Sequence, residues 1–217
     1  RLTHGLIQKR LGDGLRVYDG AQVDELTHTQ RSVTATLEGG QKIQAGHLVV
    51  ACGYESQKYL KRKVARLHSS YAIVSEPMPE LKPLWPDECL IWESARPYLY
   101  MRTTADSRVL IGGKDEVFSS AVRRDKLLTR KAKQLEGNAL SLLPHLPFVK
   151  DFEWCGTFAE TEDGLPYVGL TEERQRTYFA MGFGGNGILY SVLAGGIIRD
   201  GILGRKNDDA ELFAFDR

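Results

Sequence analysis

A glycine-rich turn between two apolar segments constrains the fold of this chain more than any other feature. The turn runs Met181-Gly182-Phe183-Gly184-Gly185-Asn186-Gly187-Ile188. Residues 177–181 before it are aromatic and apolar, which predicts a buried strand, and apolar residues recur at helical spacing after it. Glycine adopts conformations closed to other residues, and the first N–H groups of a helix lack partners within it. The turn therefore predicts either a tightly packed strand–helix joint or a site for an anion.

The bulk composition excludes several classes of partner. Of 217 residues, 42% are hydrophobic and 26% charged, as in ordinary globular proteins of one large or two modest domains. The net charge of +1 gives no electrostatic reason to expect nucleic acid or a membrane surface as a partner. The three cysteines are scattered, which predicts neither disulfides nor a metal site and suggests a reducing, cytoplasmic location.

The first third of the chain predicts a helix followed by short strands. Gly39-Gly40 is typical of a hairpin turn, and the alternation of Val33 and Ala35 with threonines is typical of a sheet with one wet face. The continuous apolar run 47–51 instead indicates a strand buried on both faces. The predicted helix is 2–11, and the other predicted strands are 15–18, 21–27, 32–37 and 41–44.

The middle of the chain predicts a second unit. A basic connector over residues 58–66 suggests a domain crossing, and a long amphipathic pattern over 122–143 predicts one helix. Leu128, Ala132, Leu135, Ala139 and Leu142 form its apolar face, and we expect its lysines and arginines to be solvated. The predicted strands here are 70–75, 89–92, 98–102, 108–112 and 152–157.

Three motifs carry a resemblance to a known family. The first is residues 43–53, ending in Val49-Val50-Ala51-Cys52-Gly53. The second is residues 154–169, Trp-Cys-Gly-Thr-Phe-Ala-Glu-Thr-Glu-Asp-Gly-Leu-Pro-Tyr-Val-Gly, and the third is the turn 182–188 with its helix and the terminal residues 212–217. In order and spacing they resemble the carboxy-terminal part of the D-amino-acid oxidase superfamily of flavoenzymes, which includes glycine oxidase and monomeric sarcosine oxidase.

The resemblance has one large departure. The family opens with a strand, a G-x-G-x-x-G turn and a helix that hold the FAD pyrophosphate. Here Gly12-Asp13-Gly14 neither follows a strand nor opens a helix, and the chain begins at Arg1. We therefore expect a fragment of a longer protein, with the missing N-terminal segment as its partner and with FAD bound by the intact parent rather than by the fragment alone.

The resemblance also implies a fold and a division into domains. The expected class is α/β, in part α+β. An incomplete Rossmann-like FAD-binding unit with a β-meander would combine with an antiparallel substrate domain carrying one long helix. The expected segments are 1–57 and 156–217 for the FAD-binding unit and 58–155 for the substrate domain.

The family's chemistry assigns a role to the turn. Hydride transfer from a C–N bond to the flavin leaves negative charge on the ring, and main-chain donors at a helix N-terminus stabilise such charge. Gly185, Asn186 and Gly187 are the expected catalytic donors, together with Gly184, and Ile188 would pack on the ring. For Val23 a position beside the adenine and a plain strand position are equally open. The full set expected to contact FAD is Val23, Ala51, Cys52, Gly53, Gly182, Phe183, Gly184, Gly185, Asn186, Gly187 and Ile188.

The substrate side departs from relatives that act on amino acids. Those relatives place an arginine two residues after the glycine that corresponds to Gly156, and here that position is Phe158. The loss of a carboxylate clamp argues against a simple amino acid or requires another cation. Arg102 is that candidate, since Tyr98, Tyr100 and Arg102 share one face of an extended strand. A solvated strand face is the alternative. The expected substrate-contacting residues are therefore Tyr98, Tyr100, Arg102 and Phe158.

The expected substrate is a small amine or amino acid, and two other functions stay open. One is a non-catalytic binding or scaffolding homologue that keeps the fold, which Phe158 supports. The other is a dehydrogenase that passes electrons to a carrier other than oxygen. Asp163 and Gly164 are expected to form a turn, and Cys155 is expected to be a plain thiol.

Overall fold

The structure is a computed structural model that describes residues 2–81 and 85–217. Contacts within the chain divide it into two compact units. The first comprises Arg1–Val49 and Leu170–Tyr178, and the second comprises Val50–Gly169 and Phe179–Arg217. The assignment of 1–57, 58–155 and 156–217 to functional domains stays a prediction.

The first unit contains a helix and an antiparallel meander, as the alternation of Val33 and Ala35 predicts. Both of these side chains are buried, while β3 is exposed along its length. The elements are α1 (Leu2–Arg10), β1 (Val23–His28), β2 (Val33–Leu37) and β3 (Lys42–Ala45), in the sheet order β1-β2-β3.

The predicted strand at 15–18 is wrong. Only Leu15 forms a bridge, with Leu11, across a turn in which Gly12 and Gly14 have positive φ. Residues 16–18 are irregular and exposed in the structure. Extended apolar residues form a strand only where a neighbouring strand accepts their hydrogen bonds, and this segment pairs with none of the described strands.

A second sheet has the order β10-β11-β4, with β4 (Leu48–Val50), β10 (Tyr167–Thr171) and β11 (Arg174–Met181). The sequence predicted β4 and β11 and missed β10. The prediction that β4 is buried on both faces is wrong. Val50 is buried but Val49 is 42% exposed, because β4 lies at the edge of the sheet.

The second unit is built on a five-stranded antiparallel sheet, which the predicted strands anticipate. Long β5 lies between β8 and β9 and pairs with both. The elements are β5 (Arg66–Ser75), β6 (Ile91–Trp92), β7 (Leu99–Thr103), β8 (Val109–Val117), α2 (Ala121–Leu142) and β9 (Lys150–Glu160), with sheet order β6-β7-β8-β5-β9.

One face of this sheet packs against α2 to form the main core. The helix begins where the Ser120 hydroxyl accepts a hydrogen bond from the Arg123 N–H at 3.2 Å. Ala132, Leu135 and Ala139 are buried as predicted, whereas Leu142 in the last turn is 53% exposed. The sheet side chains of this core include Tyr71, Ile73, Leu99, Met101, Val109 and Ile111.

Lys131 of α2 is buried, which corrects the prediction of a fully solvated basic face. Its ammonium donates to the Lys114 carbonyl at 2.9 Å, lies 2.6 Å from the Glu116 carboxylate and sits over the Tyr71 ring. A buried lysine requires such partners because an isolated ammonium is costly to remove from water.

The C-terminal part of the second unit consists of α3 (Gly187–Ile202) and a terminal segment. Arg217 fastens this segment, since its guanidinium contacts the Asp163 carboxylate at 2.8 Å and donates to the carbonyls of Leu165, Pro166 and Ala214. It also lies 3.8 Å from the centre of the Tyr167 ring. Asp163 also accepts a hydrogen bond from the Leu165 N–H at 3.1 Å, within the turn predicted at Asp163 and Gly164. Over the described part of the chain, no helix is both long and apolar enough to cross a bilayer.

Candidate active site

The glycine-rich turn, residues 182–188, is a tightly defined elbow at the end of β11. Gly182 and Gly184 have φ values of 77° and 52°, which favour glycine. The Gly184 N–H donates to the Ala159 carbonyl at 3.0 Å, and Phe183 forms a bridge with Glu160. The elbow is therefore fastened to the end of β9.

The helix that follows the elbow begins without a side-chain cap. Asn186 is the N-cap residue, and its side chain makes no capping hydrogen bond. Gly185 and Asn186 are exposed, and Ile188 is 74% exposed. A β-carbon on Gly184 or Gly187 would meet no described atom within 4 Å. The N-terminal N–H groups of α3 thus face open space, an arrangement that fits the electron-rich edge of a flavin ring.

Tyr98 stands opposite this elbow. A β-carbon built on Gly185 would lie 3.8 Å from the Tyr98 hydroxyl oxygen. The Tyr98 ring contacts Trp92 and Tyr100, at centroid distances of 6.0 and 6.4 Å. Burial raises the pKa of the Tyr98 hydroxyl, and the carboxylates of Asp115 and Glu160 raise it further. This phenol therefore remains a protonated donor at neutral pH.

Tyr100 lines a cavity of about 230 Å³ on the sheet face opposite α2. Its ring lies against Gly112, where a β-carbon would come within 2.3 Å of the ring atoms, so the close approach requires glycine. The cavity combines aromatic walls with small residues, and none of the lining residues that the structure describes is charged. The lining is Ser70, Tyr71, Ala72, Tyr100, Trp154, Gly156, Thr157 and Phe158.

Phe158, at the position where the resemblance implies an arginine in relatives that act on amino acids, forms part of this wall. It is opposite His68 in the β5–β9 register, and the two rings stack with a centroid distance of 5.5 Å. Nε2 of His68 lies 3.7 Å from a carboxylate oxygen of Glu160. Phe158 and Glu160, which lie two positions apart on β9, therefore place an aromatic ring beside the cavity and a carboxylate beside the elbow.

The half-buried carboxyl group of Asp115 lies close enough to Tyr100 and Tyr98 to raise the pKa of both phenols. Burial raises the pKa of Asp115, and Glu160 raises it further, while Ser70, His68 and Lys131 oppose the shift. Within the described part of the chain, Oδ1 of Asp115 is buried without a hydrogen-bond partner. The site therefore carries negative potential close to its aromatic wall.

The other predicted site residues are more dispersed. Arg102 is exposed on β7 and does not line the cavity that Tyr100 and Phe158 share. Ala51, Cys52 and Gly53 are exposed at the start of a 3-10 helix (Gly53–Tyr59), where Gly53 has a φ of 61°. Val23 belongs to the first unit, at an irregularity that opens β1. Contacts of these residues with FAD stay predictions.

His68, Ser70, Asp115 and Trp154 also lie at the site and were not among the predicted site residues. Residues 68 and 70 lie on the strand face that Gly156 and Phe158 occupy on the neighbouring strand, and pairing of β5 with β9 would have revealed them. Cys155 faces the other side, where its thiol contacts Asp125 at 3.4 Å and burial raises its pKa. A reactive thiolate is therefore not favoured.

A family profile described as FAD-dependent oxidoreductase matches residues 1–200. The chain belongs to this family. That match confirms the resemblance drawn from the three sequence motifs, and with it the prediction of an FAD-dependent oxidoreductase family.

Individual members of the FAD-dependent oxidoreductase family agree with this assignment. Gamma-glutamylputrescine oxidoreductase of Escherichia coli (strain K12) is 28% identical over 207 residues, which cover 93% of this chain and 45% of that protein. Glycine oxidase of Bacillus subtilis (strain 168) is 26% identical over 186 residues, which cover 80% of this chain and 45% of the enzyme. The chain thus spans about half the length of these curated relatives.

A solved structure shows the same fold. The crystal structure of iminodiacetate oxidase from Chelativorans sp. BNC1 superimposes with a TM-score of 0.82 and 18% identity, covering 98% of this chain and 57% of that one. The predicted mixed α/β class with antiparallel sheets is therefore confirmed.

Proposed function

We propose that this chain supplies the substrate-facing part of an enzyme that oxidises a C–N bond with bound FAD. The elbow at residues 182–188 carries this proposal, because its uncapped helix N-terminus faces open space beside an aromatic cavity. When bound there, the flavin would accept the two electrons and the hydrogen removed from the substrate. Gly185, Asn186, Gly187 and Ile188 would hold its electron-rich edge through main-chain N–H groups and one apolar contact.

The lining of the cavity favours an amine over an amino acid as the substrate. Aromatic rings form three of its walls, at Tyr100, Trp154 and Phe158, and none of the lining residues is a cation. Asp115 and Glu160 lie close by. Aromatic faces and carboxylates attract an alkylammonium group, whereas a substrate carboxylate would find no cationic partner among the described lining side chains.

Each side chain then has a distinct task. Tyr98 would orient a protonated hydroxyl toward the elbow, and Tyr100, whose ring lies against Gly112, would form one wall of the cavity. Phe158 would exclude water from the reacting carbon. Because Arg102 lies outside the cavity lining, a role for it as carboxylate clamp would apply only to a longer, acidic substrate.

Gly185→Val tests the cofactor site. The added β-carbon has room in the folded chain, with the Tyr98 oxygen 3.8 Å away, but the side chain would project into the space before the elbow. We expect FAD affinity of the intact protein to fall at least tenfold, with an unchanged circular dichroism spectrum and Tm. Gly137→Ala, at an exposed position of α2, is the control. Unchanged FAD affinity in Gly185→Val would overturn the proposal.

Two finer points of the function remain predictions. Oxygen or another carrier could serve as the electron acceptor, and oxygen uptake compared with dye reduction on one sample decides between them. The cytoplasmic location is likewise a prediction. A non-catalytic homologue would bind FAD at the elbow without any amine bleaching its absorbance.

A further inference from the structure

A second, larger cavity lies in the same unit and shares no lining residue with the aromatic cavity. Its volume is about 510 Å³, within the range of small-molecule sites. Leu60, Ala65, Ala159 and Met181 are buried and provide an apolar floor, and Tyr54 adds an aromatic side chain. The remaining lining residues are Gln57, Lys63, Arg66, Leu67, Val117 and Phe118.

The charged residues of this cavity are all cations. Lys63 and Arg66 are exposed at its rim, and neither forms an ion pair with another described residue. None of the described residues that line the cavity carries a carboxylate. Gln57 is already engaged, since its amide donates to the Arg62 carbonyl at 2.9 Å and accepts from the Val64 N–H at 3.0 Å. The polar atoms left for a ligand are therefore mainly positive.

This cavity and the aromatic cavity share β9. Phe158 lines the aromatic cavity and the next residue, Ala159, lines this one; successive side chains of a strand point to opposite faces. The carbonyl of Ala159 accepts the Gly184 N–H of the elbow at 3.0 Å. A ligand packed against the Ala159 side chain would therefore contact a residue whose carbonyl is hydrogen-bonded to the elbow.

We propose that this second cavity binds a small anion with a ring-bearing apolar body, either a carboxylate or a phosphate ester. The apolar floor would bury the ring, and Lys63 and Arg66 would pair with the anionic head at the rim. Binding would change the environment of the elbow through Ala159 and Gly184. The site is independent of the amine-binding cavity and does not require the proposed oxidation.

Binding of four naphthalene probes to the intact protein, followed by calorimetry, tests the charge requirement. Naphthoate and naphthyl phosphate carry the anion, whereas naphthol and naphthylmethylammonium are neutral and cationic controls. We expect the two anions to bind at least tenfold more tightly than either control. The tighter of the two anions identifies the head group. Equal affinity for naphthol, or no binding of either anion at millimolar concentration, would overturn the proposal.

Variants locate the site. Lys63→Met and Arg66→Met should each weaken naphthoate binding roughly three- to fivefold, and the double variant roughly tenfold or more, as expected for exposed ion pairs. Lys133→Met removes the same charge from the solvated face of α2 and should leave affinity unchanged. Val117→Trp, at a rim position that is 76% exposed, should obstruct both anions without loss of folding. Equal effects of Lys63→Met and Lys133→Met would contradict the proposed site.

Nuclear magnetic resonance provides the readout for the coupling. Naphthoate should shift the methyl signals of Ala159 and Met181 and the amide signal of Gly184. Shifts confined to Trp154 and Phe158 would place the ligand in the aromatic cavity and overturn the proposal. Naphthoate is added without amine, so the shifts of the Ala159 and Met181 methyl signals do not depend on oxidation, and the two proposals fail separately.

Discussion

The hydroxyl oxygen of Tyr98 lies 3.8 Å from the position that a β-carbon would occupy on Gly185. Tyr98 therefore comes within contact of the glycine elbow, although the two are distant in sequence. The same tyrosine contacts Tyr100, whose ring lines the aromatic cavity. These contacts connect the proposed cofactor position to the proposed substrate position.

Tyr98→Phe should slow amine oxidation by about tenfold, the effect of losing one hydrogen bond at a developing charge. FAD affinity should change little, because the main-chain donors remain. Since the pKa of Tyr98 is raised, the wild-type rate should show no loss from ionisation of this phenol below about pH 10. Steady-state rates across pH 7–11 measure both effects. A Tyr98→Phe variant that oxidises amines as fast as the wild-type protein would show that the Tyr98 hydroxyl has no role in the reaction.

Phe158→Arg should change which substrates are accepted. A guanidinium in the aromatic cavity would repel an alkylammonium group and pair with a carboxylate. We expect kcat/KM for amines to fall at least tenfold and that for amino acids to rise by about tenfold or more, the typical gain from a charge-assisted pair. Phe158→Leu, which keeps the cavity uncharged, controls for lost packing. If amino acids are already the better substrates of the wild-type protein, the proposed amine preference is wrong.

Asp115→Asn and Glu116→Gln should have opposite effects on stability. Burial raises the pKa of Asp115, so the stability it confers is present below its unfolded pKa and is lost as pH rises. The hydrogen bond from Lys131 lowers the pKa of Glu116, so its contribution is present at neutral pH and is lost as pH falls. At pH 7 we expect Tm to rise by about 2–4 °C for Asp115→Asn and to fall by a similar amount for Glu116→Gln.

Both of these differences should shrink toward pH 3, where the two carboxyl groups approach protonation in the folded and unfolded chain. Thermal melts between pH 3 and 8 measure them. A Tm difference for Asp115→Asn that does not depend on pH would show that its effect comes from packing rather than from charge.

Arg217→Ala should destabilise the second unit by roughly 2–3 kcal/mol, since it removes a charge-assisted bond to Asp163 and the donor to three carbonyls. Arg217 lowers the pKa of Asp163, so this contribution is present above the unfolded pKa and is lost as pH falls. Arg10→Ala, which breaks an exposed pair with Asp13, is the control and should cost less than about 1 kcal/mol. Urea unfolding measures both. Equal losses would refute the fastening role.

The sequence predicted most of the fold wherever a local pattern determined the structure. Alternation gave the strand carrying Val33 and Ala35, and helical spacing gave α2 with Ala132, Leu135 and Ala139 in the core. The errors arose where contacts with residues distant in sequence determine the structure or the burial of a side chain. Residues 15–18 lack a neighbouring strand, Val49 lies at a sheet edge, and the partners that bury Lys131 come from β8.

The candidate site was predicted less completely for the same reason. The elbow is local, and its glycines were found directly. Asp115 reaches the site because β8 has an irregularity opposite Ser69 and Tyr71, where Lys114 takes a φ of 56°. Such a bulge shifts the alternation of faces, so spacing along one strand could not place Asp115 beside Ser70.

The proposed oxidation of amines by bound FAD is tested most directly by measuring the visible absorbance of the FAD-loaded intact protein in the absence of oxygen. The protein is mixed separately with a series of primary and secondary alkylamines and with the amino acids of matching chain length. We expect the visible flavin absorbance to bleach with an amine and to bleach at least tenfold more slowly with its matched amino acid. Bleaching by the amino acids alone, or no bleaching by any of these compounds, would contradict it.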